Sequence, residues 1–320
     1  MGRYIIRRLL QAIPLLILVS VVVFILIHLL PGGPERVLFN PRLSAAAREA
    51  LKVRLGLDKP IWLQYVFWLK GAVTGDFGNS FADGQLVISD IGARVPATIE
   101  LFGAALLFAL IIAVPLGIIS AVRQYGLADY SITILGYFGI SMPIFFFALI
   151  MQEIFSVKLG WLPDFGRSSD ADFATGFDYF LDYLLHLILP MIVLSLAFMA
   201  GWSRYMRSSM LEVIRQDYMR TARAKGLGPV RVLLRHGIRN ALIPLLTIVA
   251  LDFGGIAGGA AVTETIFAWP GLGRLFLDAL SARDYPVLLA MLLMSAVVVV
   301  LFNLIADVLY GVLDPRIRFG

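Results

Sequence analysis

The chain has 320 residues, 59% of them hydrophobic and 15% charged, with a net charge of +5. Apolar runs of about twenty residues recur, each long enough to cross a bilayer as a helix, which excludes a soluble globular fold. The absence of cysteine excludes disulfides, thiol catalysis and Cys-ligated metals; the three histidines show no metal spacing, and the basic residues sit in short segments beside apolar runs without any nucleic-acid motif.

The N-terminus, MGRYIIRRLLQAIPLLILVSVVVFILIHLLPGGP, places Arg3, Arg7 and Arg8 before an apolar run from Leu9 to Leu30. That run is longer than a signal-peptide core and no small-residue cleavage site follows it. Residues 1–30 therefore read as a cytoplasmic N-terminus and an uncleaved first span. Residues 31–98 read as a long extracytoplasmic region. Within it Leu43–Leu55 has the pattern of an amphipathic helix, and Pro60–Leu69 carries an interfacial aromatic cluster, Trp62, Tyr65, Phe67 and Trp68. Gly75–Gly78 reads as a turn.

A five-helix core occupies residues 99–310, with spans predicted at Ile99–Val122, Ser131–Phe155, Leu184–Gly201, Ala241–Ile266 and Val287–Tyr310. Pro115, Pro143 and Pro190 lie inside the first three of these, which spanning helices tolerate. Arg123 marks a cytoplasmic turn, the acidic loop from Ser156 to Tyr183 lies outside, and the tail 311–320 carries Arg316 and Arg318 inside. Short loops rich in Lys and Arg stay cytoplasmic. The fold class is all-α integral membrane, with six transmembrane helices and both termini in the cytoplasm.

The segment 204–240 breaks the apolar pattern. It reads RYMRSSMLEVIRQDYMRTARAKGLGPVRVLLRHGIRN and belongs on the cytoplasmic surface. Leu211, Ile214, Tyr218 and Ala222 fall on one helical face. Gly226, Gly228 and Pro229 end that helix, with Lys225 in its last turn. Pro229 opens a second helix, whose Val230, Leu233, Leu234 and Ile238 form one face while Arg231, Arg235 and Arg239 form a basic stripe. A short helix alone in water is marginal, so this helix–elbow–helix unit needs a surface to pack on.

Polar groups at membrane depth are functional candidates because they are costly there. Glu153 falls near the outer end of its span, and Asp307 near the inner interface in a helix-end or ion-pair role. Asp252 falls midway along its span, either on a water-lined pathway or in a hydrogen bond to a neighbouring helix. The run of small residues from Gly254 to Ala261 permits close helix packing or a hinge. No Walker A, GxSxG or HExxH motif is present, so an enzymatic reading has no motif behind it.

The stretch TARAKGLGPVRVLLRHGIRNALIP, together with ETIFAWPGLGRLFLDAL, the tail DPRIR and the N-terminal stretch, resembles the permeases of binding-protein-dependent ABC importers. It is similar to the first permease of the dipeptide/oligopeptide/nickel group and covers essentially the whole chain. The general loop pattern begins with Glu-Ala-Ala; here Arg220 and Thr221 occupy the Glu and first Ala positions, while Ala222 and Gly226 fit. That departure puts any role of the missing carboxylate in doubt.

The resemblance implies a type I importer permease fold and a set of partners: a second related permease, two ATP-binding subunits that carry ATP and Mg, an extracytoplasmic solute-binding protein, and the lipid bilayer. No cofactor is expected in this chain. It implies an ATPase-coupling helix with Asp217, Tyr218, Arg220, Thr221, Ala222, Ala224, Lys225, Gly226 and Leu227, a lever with Arg231, Arg235 and Arg239, and a binding-protein-facing loop with Trp269, Pro270, Gly271, Leu272, Gly273 and Arg274. Asp252 and Glu153 are the pathway candidates. The alternative is a self-sufficient secondary transporter or channel using those two acids as proton or ion sites. The solute class, from dipeptides to glutathione-like molecules and nickel chelates, is not readable from this chain.

Overall fold

The computed structural model describes residues 2–29, 56–169, 176–258 and 260–313, with isolated positions between 33 and 53. The predicted helix Leu43–Leu55 falls largely outside the described residues, and the DPRIR tail falls wholly outside them. Eleven helices carry the fold among the described residues: α1 (Gly2–Leu29), α2 (Ile61–Thr74), α3 (Val87–Val122), α4 (Leu127–Ser141), α5 (Ile144–Lys158), α6 (Phe177–Ile214), α7 (Asp217–Ala224), α8 (Pro229–Ile256), α9 (Ala261–Ile266), α10 (Leu272–Ala282) and α11 (Tyr285–Leu313). Five helices are individually long and apolar enough to span, and the bent pair α4–α5 is apolar enough to make a sixth when taken as one broken span.

Three span boundaries differ from expectation. The second span begins at Val87, not Ile99, and passes through Pro96 and Pro115 without a break. At 1.5 Å per residue its 36 residues reach about 54 Å, well beyond the ~30 Å of hydrocarbon, so its first turns stand clear of the bilayer. The fourth runs from Phe177 to Ile214 without stopping at Gly201, so Arg204–Ile214 is a helical stalk and not loop. The helix continues because its inward stripe continues: Trp202, Met206, Met210 and Val213 are all buried.

The third span is broken. Its halves meet at 103° at Met142–Pro143. Pro143 lacks an N–H and pushes Met142 out of the helical region, to φ −76° and ψ 124°. The chain still crosses. Before α4 the Tyr125 turn is tied to α6 near Arg207, and after α5 the Gly166 N–H donates to the Phe267 carbonyl at the other end.

The fifth span starts at Pro229, earlier than the expected Ala241, and its regular helix ends at Phe253. One π-helical turn, Leu233–Ile238, interrupts it, and a 3-10 turn, Gly254–Gly258, follows. The small residues there serve close packing: a Cβ on Gly254 would lie 3.5 Å from Val299 Cα, and one on Gly255 would lie 3.3 Å from the Phe102 ring.

The core is built on α3 and α6, which run parallel in extensive contact. Gly117 makes this approach possible, because a Cβ there would sit 2.5 Å from Met206 Cβ and 2.7 Å from the Ser203 carbonyl. α1 packs apart from the α3–α6 pair, with Phe24 and Ile27 buried in a second apolar cluster. It is joined to α11 by the Arg8–Asp307 salt bridge at 3.1 Å and to α2 by the Ser20–Tyr65 hydrogen bond at 2.8 Å. That ion pair is the local role expected for Asp307. Large apolar side chains of α1 and α4 stay exposed, among them Leu10, Leu18, Ile134 and Phe138, as a bilayer requires.

Candidate functional site

The basic end is assembled from the stalk of α6, the short helix α7 and the start of α8. Asp217 begins α7 with an extended Gln216 before it, and the helix stops where Gly226 takes a left-handed φ of +79°. The elbow predicted at Gly226 is therefore present. The inward face differs from the expected one. Met219 and Ala222 are buried, while Tyr218 is 40% exposed and Asp217, Arg220, Thr221, Arg223, Ala224, Lys225 and Gly226 all face outward. Leu227 is half-buried.

The π-turn explains the same shift in α8. It inserts extra residues into the helical repeat, so a 3.6-residue stripe cannot hold across it. Val232 and Gly237 go inward, whereas Val230 and Leu234, expected on the packed face, are exposed. Arg231, Arg235 and Arg239 remain exposed as the predicted stripe. Gly237 is the close-contact point: a Cβ there would lie 2.8 Å from Met210 Cε of the stalk and 3.5 Å from Met219 Cε of α7. The stalk also reaches α8 directly, through the Ser209 hydroxyl donating to the Ala241 carbonyl at 2.9 Å.

A buried polar cluster locks the neighbouring turn. Asp129, only 3% exposed, accepts two bonds from the Arg207 guanidinium, Nε and Nη2, each 2.8 Å, together with the Tyr125 N–H at 2.9 Å and the Ser120 hydroxyl. Sequence reasoning passed over this pair. A lone acid one turn before an apolar run, with an arginine in the basic stretch, was the available signal; the partnership itself is tertiary.

The opposite end carries the Trp269 turn. The loop expected to face a partner folds mostly inward: Trp269 is fully buried and Gly271, Leu272 and Gly273 are buried with it. The Trp269 indole N–H donates to the Ala97 carbonyl at 2.8 Å. The reason for this inward fold is Glu264, which is 0% exposed. Its carboxylate accepts from the Thr98 hydroxyl at 2.9 Å and the Arg274 N–H at 2.9 Å, and Thr98 in turn accepts from the Leu272 N–H at 2.7 Å. A buried carboxylate needs such donors. Gly271 leaves room for it, since a Cβ there would lie 2.4 Å from the carboxylate, and Gly273 fits against Ala261 in the same way, at 2.5 Å. Only Pro270 and Arg274 of the six loop residues are partly exposed.

Nearby, Arg167 grips both oxygens of Glu100 at 2.7 and 2.6 Å, and the Tyr183 hydroxyl donates to Glu100 at 3.1 Å. The Asp83 carboxyl, at the tip of the 79–86 loop, is held below the usual carboxylate range chiefly by the Gln85 N–H. That loop is pinned to α11 by Asp284, which accepts from the Ser80 hydroxyl at 2.6 Å and the Ala82 N–H at 3.1 Å.

The two expected pathway acids lie apart. Asp252 accepts the Trp202 indole N–H at 2.7 Å, the helix-to-helix hydrogen bond that was one of its two readings. Glu153 sits in the π-helical end of α5, half-exposed, with Lys158 at 3.4 Å. The two ends of the molecule are joined by one apolar cluster that includes Met219, Ala222 and Val232 at the basic end, Met206 and Leu106 between, and Ala97 and Trp269 at the other.

These features define a multi-pass helical membrane protein with a short, outward-facing basic helix anchored on its own core. Residues 113–319 match the family described as the binding-protein-dependent transport system inner membrane component, and residues 1–102 match that family's N-terminal region. The chain belongs to this family and is a permease. It is 46% identical over 320 residues to the oligopeptide transport system permease protein AppB of Bacillus subtilis, covering 100% of both chains. It is 44% identical over 330 residues to the dipeptide transport system permease protein DppB of Alkalihalophilus pseudofirmus, covering 99% of both. It is 40% identical over 319 residues to the glutathione transport system permease protein GsiC of Escherichia coli, covering 100% of both. In fold it resembles a solved inward-facing MetNI methionine ABC transporter, with a TM-score of 0.54 at 16% identity, over 70% of this chain and 96% of that one.

Proposed function

We propose that this permease pairs with a second, related permease to form the pathway of an ATP-driven importer of di- and oligopeptides in the cytoplasmic membrane. In this reading the basic end and both termini are cytoplasmic, and residues 31–86 with the Trp269 turn lie outside. The helix Asp217–Ala224 docks in a groove of an ATPase subunit, and the exposed side chains Tyr218, Arg220, Thr221 and Ala224 meet it. Arg231, Arg235 and Arg239 line the lever that joins this helix to the fifth span. A solute-binding protein delivers peptide at the opposite end, where Pro270 and Arg274 reach the surface. Catalysis belongs to the ATPases.

The observation that carries this reading is the continuous packed cluster from Met219 and Ala222 to Trp269. Close-packed interiors transmit displacement because they have little room to yield. Movement of the docked helix therefore reaches the opposite end through Met210, Met206 and α3. Relatives named for oligopeptide, dipeptide and glutathione transport support the peptide class of solute.

The test uses the whole complex in liposomes. Thr221→Arg places a bulky cation on the outward face without touching the buried side, since Thr221 is exposed. It is expected to abolish peptide-stimulated ATP turnover while the permease pair still assembles. Ala222→Arg is the less specific variant, because Ala222 is buried against its own chain. Full stimulation in Thr221→Arg would overturn the docking assignment. Proton-driven peptide uptake by the purified chain alone would instead support the secondary-transporter alternative.

A further inference from the structure

At the end opposite α7 a cavity of about 380 Å³ opens beside the Trp269 turn. Arg94 of α3, Arg167 of the loop after α5, and Arg274 of α10 line it together, with Asp278, Ala97 and Pro270. Three guanidiniums around one small cavity repel one another unless an anion occupies it. Four acids neutralise them only in part: Asp83 and Asp90 attract Arg94 without forming a salt bridge, and Glu100 and Asp278 engage the other two. Glu100 takes the Nη2 edge of Arg167, and Asp278 lies 3.9 Å from Arg274 with its side chain 61% exposed. Among the described residues no hydrogen bond or salt bridge engages Arg94. The buried Nε of Arg167 also lacks a hydrogen-bond partner there.

The arginines are held in place. Arg167 is fixed by both oxygens of Glu100, and Arg274 Nη1 donates to the Ala268 carbonyl at 2.9 Å, while its own N–H is bound by buried Glu264. Preorganised guanidinium forks suit a planar carboxylate better than a point charge does, and the Nε edge of Arg167 is left open because Glu100 occupies only Nη2. The cavity volume suits one or two residues and not a folded segment.

We propose that Arg94, Arg167 and Arg274 form an anion site that takes the C-terminal carboxylate of the peptide as it enters the pathway. This rests on the peptide-importer reading above. The site selects the free carboxylate over neutral termini and orients the peptide with its C-terminus at the Trp269 turn. Arg94 and Arg274 contact the carboxylate. Arg167, shared with Glu100, is a positioning residue.

The experiment compares uptake of trialanine and trialanine amide by the reconstituted importer at saturating binding-protein occupancy. The wild-type complex is expected to carry trialanine about tenfold faster than the amide, the size of effect typical of hydrogen bonds to a charged group. Arg94→Gln should lower trialanine uptake toward the amide rate and leave the amide rate unchanged. An equal fall for both peptides, or no change for either, overturns the proposal.

A second measurement needs no variant. Phenylglyoxal modification of Arg94 and Arg274 in the wild-type complex, followed by peptide mass spectrometry, should slow several-fold with trialanine and not with trialanine amide. Protection by the peptide-free binding protein instead would assign these arginines to an acidic surface of that protein and overturn the solute site. Absence of any protection also overturns it. If the wild-type complex carries neither peptide, the peptide reading fails, and the modification assay still decides the anion site.

Discussion

At the basic end the helix Asp217–Ala224 rests on its core through apolar side chains, Met219 against Met210 and Gly237, with Ala222 and Val232 beside them. At the opposite end the Trp269 turn is clasped around the buried Glu264 carboxylate by the Thr98 hydroxyl and the Arg274 N–H. The difference lies in directionality. Thioether contacts adapt to small displacements, whereas a buried hydrogen-bonded carboxylate has one acceptable arrangement of donors. The basic helix is held by adaptable contacts, and the Trp269 turn is fixed.

That contrast can be broken or sharpened by substitution. The largest effect is expected from Glu264→Ala, which strands the Thr98 hydroxyl and the Arg274 N–H in a dry site. A loss of about 3 kcal/mol or more in the thermal unfolding of the detergent-solubilised permease is expected. Glu264→Gln, which keeps an acceptor, should lose less. If both cost under ~1 kcal/mol, the opposite end is not clasped as described. Asp129→Asn comes next, at about 2 to 3 kcal/mol, because it leaves Arg207 facing a neutral group. Arg207→Gln in the same chain should recover part of that loss, and strict additivity would show that the pair does not act as a unit.

Gly237→Ala should cost only about 1 kcal/mol, because the methyl it meets, Met210 Cε at 2.8 Å, ends a flexible side chain. Its functional effect should exceed its stability effect, with peptide-stimulated ATP turnover reduced several-fold in the reconstituted complex. A normal turnover would mean that the packing of Gly237 against Met210 and Met219 does not transmit. Asp252→Asn is expected to be the mildest, at under about 1 kcal/mol, because an amide oxygen can still accept from the Trp202 indole. Assembly should be intact, and an altered peptide uptake would return Asp252 to the pathway.

Much of this architecture was legible in the residues. Six crossings follow from apolar runs, and the elbow at Gly226 follows from helix-stop chemistry, because a left-handed φ suits glycine. The boundaries were less legible. Helix α6 continues past Gly201 because Met206, Met210 and Val213 find a core to bury against, and no local signal marks that. The break at Pro143 and the unbroken passage through Pro115 involve the same residue type inside apolar runs.

The sites divide in the same way. The exposed arginines 231, 235 and 239 were readable as a stripe, since exposure follows from charge. The inward face of α8 was not, because a π-turn changed the repeat, and that of α7 was not, because it is set by contact with the Met210 and Gly237 region of the core. Trp269 and its glycines were noticed for their pattern, but the pattern does not say whether the turn points in or out. Glu264 decides that, and its donors come from Thr98, 166 positions earlier in the chain, and from Arg274.

By itself the sequence determined that this is an all-helical membrane protein, because hydrocarbon tolerates few other patterns, and that one basic helix–turn–helix lies beside its spans. Only the tertiary structure decided which polar groups are buried together: Asp129 with Arg207, Glu264 with Thr98, Asp252 with Trp202, and three arginines around one cavity. Such pairings depend on how helices are rotated and set against one another, and close packing at residues such as Gly117 and Gly237 fixes that only when the whole chain is assembled.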